Sequence, residues 1–212
     1  LGRYYDCAVW RTYRQRDLEE LAELSGIPVI NGLTDYAHPC QVLADLMTIR
    51  ERRGTLAGLK LCFVGDGSNM ANSLIVGGLL AGMQVSCVCP PGYRPAADVL
   101  MFAHKYGEKF HLLTDPAEVV KDADVVVTAA WNTAPGTPES ERRLRDFAGF
   151  QVTSRLMEGA KPDAMLLHCL PAHRGEEIST AVFEEHADEI FDEAENRLHV
   201  QKAVLAILLA GL

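Results

Sequence analysis

Short apolar runs alternate with amphipathic stretches along almost the whole chain, and this alternation limits the fold more than any other feature of the sequence. The run at 59–64 is almost continuously apolar, as expected for a strand that is buried on both faces of a sheet. Alternating strands and helices of this kind indicate an α/β fold with a doubly wound parallel sheet (Rossmann-like). Further strands are predicted at 7–10, 28–31, 85–89, 109–113, 124–128 and 164–169, with a short one near 190.

Helix boundaries follow from capping residues and from apolar spacing. Asp17 is the expected N-cap of a helix that reaches Leu24. Pro39 fits the first turn of a longer helix that runs to Arg53, where Gly54 ends it. A helix is also predicted from the turn at 65–67 to about 82, and others are predicted at 96–106, 116–121, 141–148, 153–158, 176–186 and 198–209. Residues 59–192 are therefore expected to form one domain with roughly five parallel strands.

The composition excludes several classes of protein. The chain has 212 residues, a formal net charge of −9 and a mean hydropathy of +0.01, which suits a folded domain with its own core. An acidic chain repels phosphate backbones, so a nucleic-acid partner is not expected. No run of about 18 uncharged apolar residues occurs, so no membrane span is expected. The first residues lack both the apolar region of a signal peptide and an initiator Met, and we expect further residues upstream of them.

Six cysteines are spread through the chain without any CxxC pair, and most of them lie in apolar runs. This pattern is typical of reduced thiols in the core of a cytoplasmic protein rather than of a zinc site. We therefore expect a cytoplasmic location and no metal site. The cysteines are Cys7, Cys40, Cys62, Cys87, Cys89 and Cys169.

Polar residues follow several of the predicted strands, and parallel sheets bind their ligands at these carboxyl ends. Arg11 follows the first strand, and His38 and Gln41 open a helix whose free amide groups attract anions. Taken alone, each residue is more often a helix cap, a packing residue or a surface residue than a functional one. Their expected convergence at one edge of the sheet is what indicates a site. The other residues so placed are Asp66, Asn69 and Asn72, the loop around Trp131, and His168, Cys169, Leu170 and Pro171.

The turn at 65–67 also suggests a dinucleotide-binding fingerprint, which would make the protein a nicotinamide oxidoreductase. In that fingerprint a third glycine follows, but Met70 stands at its position here. The next strand ends at Cys89 and Pro90 without an acidic residue to bind a ribose. A tight strand-to-helix turn is therefore the favoured interpretation, and no nicotinamide cofactor is expected.

Several motifs together resemble those of ornithine carbamoyltransferases, and they follow the family's order along essentially the whole chain. The segment HPCQ at 38–41 is similar to the HPxQ motif of carbamoyltransferases, which the aspartate branch shares, and HCLP at 168–171 is similar to a motif of the ornithine branch. Further similarity lies in AHRGEE at 172–177, FDEAENRLH at 191–199, NGLTD at 31–35 and GDGSNMANS at 65–73.

The resemblance implies transfer of the carbamoyl group from carbamoyl phosphate to the side-chain amine of L-ornithine, without metal or cofactor, in a homo-oligomer that is a trimer in the family. The residues implied in catalysis are Arg11, His38 and Cys169. Those implied in binding carbamoyl phosphate are Arg11, His38, Gln41, Cys169, Leu170 and Arg197. Those implied in binding the acceptor are Thr133, Ala134, Cys169, Leu170 and either Asn69 or Asn72, between which the sequence does not choose.

The resemblance also implies a division into domains. Residues 1–55 correspond to the C-terminal part of a carbamoyl-phosphate domain and an interdomain helix, 56–194 to the amino-acid-binding domain, and 195–212 to a helix that returns to the first domain. The family's phosphate-binding Ser-Thr-Arg-Thr motif would lie before Leu1, so we expect an N-terminally truncated first domain. A catalytically inactive fragment that only binds the acceptor is therefore one alternative.

The loop at 129–135 departs from the family pattern Asp-x-Trp-x-Ser-Met-Gly. Trp131 is retained, but Ala129 replaces the acidic residue, and Thr133, Ala134 and Pro135 replace Ser-Met-Gly. A carboxylate at 129 would bind the acceptor's amino groups, and losing such a bond costs about 1.5–3 kcal/mol. A carbamoyltransferase with a different amine acceptor is therefore a second alternative.

Overall fold

The computed structural model describes residues 1–132 and 136–210, and it confirms an α/β fold with parallel sheets. The strands are β1 (Ala8–Arg11), β2 (Val29–Leu33), β3 (Lys60–Val64), β4 (Gln84–Val88), β5 (Phe110–Leu113), β6 (Val125–Thr128) and β7 (Met165–His168). The α-helices are α1 (Gln15–Ser25), α2 (Pro39–Arg53), α3 (Asn69–Leu80), α4 (Ala97–His104), α5 (Pro116–Val119), α6 (Pro138–Asp146), α7 (Ser154–Met157), α8 (Thr180–Glu185) and α9 (Ala187–Ala210). Within the described residues, no helix is long and apolar enough to cross a membrane.

The larger sheet has five parallel strands in the order β5-β4-β3-β6-β7, and β1 and β2 form a separate parallel pair. Strands β6 and β7 are buried at every position, so their apolar side chains pack into helices on both faces of the sheet. The chain leaves β3 in one direction toward β4 and returns on its other side as β6. This reversal opens a crevice at the carboxyl ends of β3 and β6, where doubly wound sheets bind their ligands.

Helix α9 corrects the sequence analysis at the C-terminal end. It begins at Ala187 rather than near 198, and it replaces the short strand expected near 190. Its buried residues recur every three or four positions, which is the period of a helix and not that of a strand. The buried positions are Ile190, Glu193, Asn196 and Val200.

Other helix boundaries also differ from the expectation, and helix α6, for example, begins at Pro138 rather than near 141. Helix α1 begins at Gln15, and Asp17 lies inside its first turn, where it binds the side chain of Arg14 at 3.0 Å instead of capping the backbone. Helix α8 covers only Thr180–Glu185, because the hydrogen-bonded turn around Gly175 occupies the start of the segment expected at 176–186. Gly175 has φ of +92°, which glycine adopts without strain.

Helices α2 and α9 connect the two sheets to the crevice. They pack side by side, and Asn196 on α9 donates a hydrogen bond of 2.9 Å to the hydroxyl of Thr48 on α2. Helix α9 also packs against β7, while α2 packs against α3. Residues from both sheets therefore lie close to the same crevice.

Candidate active site

A cavity of about 430 Å³ lies at the crevice and brings together most of the residues that the sequence singles out. Of the predicted site residues, Arg11, His38, Asn69, Cys169, Leu170 and Arg197 line it. Asp66, Met70, Ala129 and Ala130 complete much of the remaining wall. The lining comes from β1, β2, the residue before α2, α3, α9 and the turns after β3, β6 and β7, so tertiary structure alone makes these residues neighbours.

The cationic side of the cavity contains two guanidinium groups and one imidazole. Arg11 is exposed at the end of β1, Arg197 is half-buried on α9, and His38 is buried immediately before α2. Burial, reinforced by the charges of Arg197 and Arg11, lowers the pKa of His38 from 6.5 to about 4. His38 is therefore a neutral imidazole near pH 7, able to donate one N–H without adding charge.

Gln41 lies behind the cavity rather than in its wall. Its Oε1 accepts a hydrogen bond of 2.6 Å from Arg197 Nη1. Its Nε2 donates to Asp45 Oδ1 at 2.9 Å and to Glu193 Oε1 at 2.7 Å. Its amide is therefore saturated by neighbouring side chains, and the contact of Gln41 with substrate stays a prediction.

The two asparagines of α3 have different surroundings. Asn69 lines the cavity, and its Nδ2 donates to the carbonyl oxygen of Thr34 at 2.6 Å. Asn72 points away from the cavity, donating to Tyr36 O at 2.9 Å and accepting from Ala96 N at 2.9 Å. Since both ends of the Asn72 amide are used inside the protein, the geometry favours Asn69 as the acceptor-binding residue.

The end of β7 is fixed by hydrogen bonds to buried groups. His168 Nδ1 accepts from Leu170 N at 2.9 Å, and His168 Nε2 is 2.9 Å from Glu177 Oε1. Leu170 has φ of +47°, an uncommon conformation for a residue with a branched side chain, and this hydrogen bond helps to hold it.

Burial, reinforced by the charges of Glu193 and Asp45, raises the pKa of the Cys169 thiol. Cys169 is therefore a neutral thiol and a poor nucleophile.

The side chain of Trp131, in the loop after β6, is buried in the protein interior and does not line the cavity. Trp131 is buried, and its ring lies 4.9 Å from that of Phe147. Arg143 donates to the carbonyl oxygen of Trp131 and pairs with Asp66. Burial raises the pKa of Asp66, and Arg143 opposes this shift. The predicted acceptor residues Thr133 and Ala134 lie outside the described residues, and Ala129 places only a methyl group at the wall.

The turn after β3 is packed against the protein's own backbone. A Cβ atom built on Gly67 would lie 2.4 Å from backbone atoms of Tyr93, Arg94 and Pro95. In a dinucleotide-binding turn, the corresponding glycine leaves room for a pyrophosphate. The room is filled here by the segment 93–95, which gives a second reason, besides Met70, to disfavour a nicotinamide cofactor.

One group of possible metal ligands occurs in the described residues: His173, Glu176 and Glu177, whose ligand atoms lie within 4.8 Å of one another. Glu177 Oε1 already accepts from His173 N at 2.6 Å and faces His168 at 2.9 Å, while Glu177 Oε2 lies 3.7 Å from His173 Nδ1. These bonds indicate that the three residues stabilise the loop that follows β7. All six cysteines are free.

Four residues of the site were not singled out in the sequence: Asp45, Arg143, Glu177 and Glu193. Asp45 follows Gln41 by four residues on α2, and Glu193 precedes Arg197 by four on α9. Residues at this spacing lie on the same helix face. A charged residue on the helix face that carries Gln41 or Arg197 was therefore the sequence feature that could have identified Asp45 and Glu193. No such spacing marks Arg143, which reaches Asp66 across 77 positions of sequence.

Comparisons with known proteins agree along the whole chain. Residues 57–208 match the Asp/Orn-binding domain of the aspartate/ornithine carbamoyltransferases, and residues 1–51 match the carbamoyl-P-binding domain. Ornithine carbamoyltransferase from Pyrococcus abyssi is 48% identical, with all of this chain and 68% of the relative covered. The structure of the Pyrococcus furiosus ornithine carbamoyltransferase superposes with a TM-score of 0.93 at 46% identity, covering 100% of this chain and 69% of that one.

More distant structures have the same fold. Ornithine transcarbamoylase from Giardia lamblia is 29% identical and superposes with a TM-score of 0.89, covering 98% of this chain and 71% of that one. Similarity in sequence, in both domain types and in structure points to one family of transferases. The chain belongs to the aspartate/ornithine carbamoyltransferase family.

Proposed function

We propose that the protein transfers the carbamoyl group of carbamoyl phosphate to the side-chain amine of L-ornithine, which gives citrulline and phosphate and contributes to arginine biosynthesis. The observation that carries the proposal is the cavity itself, which Arg11, Arg197 and His38 line together with Asn69 and the end of β7. The relatives that match the whole chain are named ornithine carbamoyltransferases, and one of them is named anabolic.

The phosphate end of carbamoyl phosphate fits the cationic side of the cavity. Arg11 and Arg197 present planar guanidinium groups, which bind phosphate oxygens through paired hydrogen bonds. Gln41 receives one N–H of Arg197 and leaves the others for the substrate. As the leaving phosphate gains negative charge, these two cations stabilise it.

The carbonyl oxygen of the substrate requires a donor where negative charge develops. Neutral His38 is suited to donate an N–H to this oxygen, together with Arg11. In the reaction, the neutral amine nitrogen attacks the carbonyl carbon, a tetrahedral intermediate forms, and the carbon–oxygen bond to phosphate breaks. The proton lost by the amine leaves with phosphate or solvent, and no covalent enzyme intermediate forms, consistent with the neutral Cys169 thiol.

The acceptor fits on the opposite side, next to Asn69 and the segment 169–170. The backbone carbonyl groups of Cys169 and Leu170, which line the cavity, would accept hydrogen bonds from the attacking amine and from the carbamoyl nitrogen. The side-chain amide of Asn69 would bind the amino-acid part of the acceptor. Catalysis then comes from positioning two substrates and from fixed charges. As in the family resemblance, we propose that the chain acts as a homo-oligomer, with a trimer as the expected form.

Ala129 favours a second candidate, a carbamoyltransferase for another amine. A methyl group at this wall position cannot bind an ammonium group, and a bond of this kind contributes about 1.5–3 kcal/mol, which is more than tenfold in affinity. The chemistry at His38, Arg11 and Arg197 is the same for either acceptor.

The test is formation of a ureido product from carbamoyl phosphate and a panel of amines that includes ornithine. Citrulline as the main product supports the first proposal, and a product from another amine supports the second. No product from any amine by the folded protein would contradict both and favour an acceptor-binding fragment. Arg197→Ala should raise the carbamoyl-phosphate KM at least tenfold, by roughly 1.5–3 kcal/mol, whereas Lys202→Ala, exposed on the same helix, should leave it unchanged.

A further inference from the structure

Two buried carboxyl groups lie behind the cavity. Asp45 is on α2 and Glu193 is on α9, and both have no exposed surface. The Nε2 group of Gln41 donates to Asp45 at 2.9 Å and to Glu193 at 2.7 Å. Because one amide group reaches both, the two carboxyl groups must lie side by side.

Two ionised carboxylates are not stable this close together in a buried site unless cations compensate them. Arg197 on α9 carries one positive charge, and its hydrogen bond to Gln41 connects it indirectly to the two carboxyl groups. One proton shared by the two acids would leave the group without net charge. The other groups that face the pair are the backbone amide of His168 and the thiol of Cys169, both at the end of β7.

The hydrogen bonds indicate where such a proton would lie. Asp45 Oδ2 is buried. Within residues 1–132 and 136–210, it accepts no hydrogen bond from an N–H group or from a hydroxyl group. A carboxyl proton on Glu193 is a suitable donor for it. Burial raises the pKa of Asp45 to about 6, and burial together with the adjacent Asp45 raises the pKa of Glu193 well above its usual range.

We propose that Asp45 and Glu193 share one proton, and that this pair positions Gln41 and Arg197 for the phosphate end of carbamoyl phosphate. The identity of that substrate rests on the proposed function. Both N–H groups of Gln41 are taken up by the acids, so its Oε1 must face Arg197. A flipped amide would place its oxygen against two acids and its N–H groups against the guanidinium.

The same pair fixes the other side of the site. Glu193 Oε2 accepts from His168 N at 2.7 Å, immediately before Cys169. When the shared proton is lost at high pH, repulsion between two carboxylates displaces Gln41 and the end of β7 together. Affinity for carbamoyl phosphate should therefore fall as pH rises through the titration of the pair.

Infrared spectroscopy tests the shared proton without any substrate. The folded protein at neutral pH should show the C=O band of a protonated carboxyl group. This band should be lost in Asp45→Asn, whose amide donates permanently to an ionised Glu193, and retained in Glu195→Gln, an exposed change two residues away on α9. A difference spectrum between the unchanged protein and Asp45→Asn without this band would overturn the proposal. If the protein forms no ureido product from any amine but the shared proton exists, the carboxyl C=O band should still be present, because this measurement uses no substrate.

Kinetics test the positioning. Glu193→Gln should raise the carbamoyl-phosphate KM about tenfold or more, because its NH₂ group must face either Gln41 or the amide of His168. The acceptor KM should rise less, because Glu193 reaches the acceptor side only through the backbone before Cys169. Asp45→Asn should recover most of the loss that Asp45→Ala causes, and its KM should no longer rise at alkaline pH. Equal effects of Asp45→Asn and Asp45→Ala, or an equal rise in both KM values for Glu193→Gln, would contradict a positioning role.

Discussion

Asn69 Nδ2 donates a hydrogen bond of 2.6 Å to the carbonyl oxygen of Thr34, and this bond joins the first turn of α3 to the segment that precedes α2. It orients the Asn69 side chain at the wall of the cavity, beside the end of β7. The side-chain amide of Asn72, one turn later, makes its hydrogen bonds entirely within the protein. The two residues therefore allow substrate binding and stability to be separated.

We expect Asn69→Ala to raise the acceptor KM about tenfold, since it removes the amide that we propose contacts the amino acid. Asn72→Ala should instead lower the free energy of unfolding by about 1–3 kcal/mol, because the amide of Ala96 and the carbonyl of Tyr36 lose their partner. Steady-state kinetics and urea denaturation of both variants check this. The reverse pattern would assign acceptor binding to Asn72.

Ala129 is the position at which acceptor preference can be restored. Ala129→Asp should improve affinity for ornithine more than tenfold, by about 1.5–3 kcal/mol, since it supplies a carboxylate for an amino group. Ala129→Asn is the matched control, because it has the same size without the charge. Competition kinetics with ornithine and a second amine give the result. Equal improvement by Asp and Asn would show that shape, not charge, limits binding at this wall.

His38 should make the protein less stable in acid. Its pKa is 6.5 when unfolded and about 4 when folded, so between these values the unfolded chain binds more protons and stability rises with pH. Between pH 7 and pH 5 the unchanged protein should lose about 2 kcal/mol more than His38→Gln does, at about 1.4 kcal/mol per pKa unit. Denaturant titrations at both values measure this difference. Equal losses in the two proteins would mean that His38 is not held neutral by burial.

Gly67 should be among the least replaceable glycines of the fold. A Cβ at this position meets backbone rather than a flexible side chain, so Gly67→Ala should cost about 1–3 kcal/mol or more. Gly58→Ala is the comparison, because Gly58 has φ of +84° and no atom within 4 Å of a new Cβ, which leaves only a backbone cost of about 1–2 kcal/mol. Thermal unfolding of the two variants should rank Gly67→Ala as the more damaging change.

Helix and strand prediction succeeded where local periodicity and local stop signals act together. Helix α2 was predicted from Pro39 to about Arg53, as observed, because Pro39 starts it and Gly54, with φ of +76°, ends it. The prediction failed near 190, because a short apolar stretch around Ile190 looks alike in a strand and in a packed helix. Only the packing of α9 along α2 distinguishes these two possibilities.

By itself, the sequence determined the alternating α/β class, the parallel sheets and the family, because these depend on local periodicity and on motifs that are contiguous in the chain. It could not choose between Asn69 and Asn72, since both lie on one helix and differ only in what faces them. It also gave no sign that Gln41 binds Arg197, or that Asp45 lies beside Glu193, 148 positions further along. Only the tertiary structure gives these contacts and the different surroundings of the two asparagines, because burial and hydrogen-bond partners arise only when distant segments pack together.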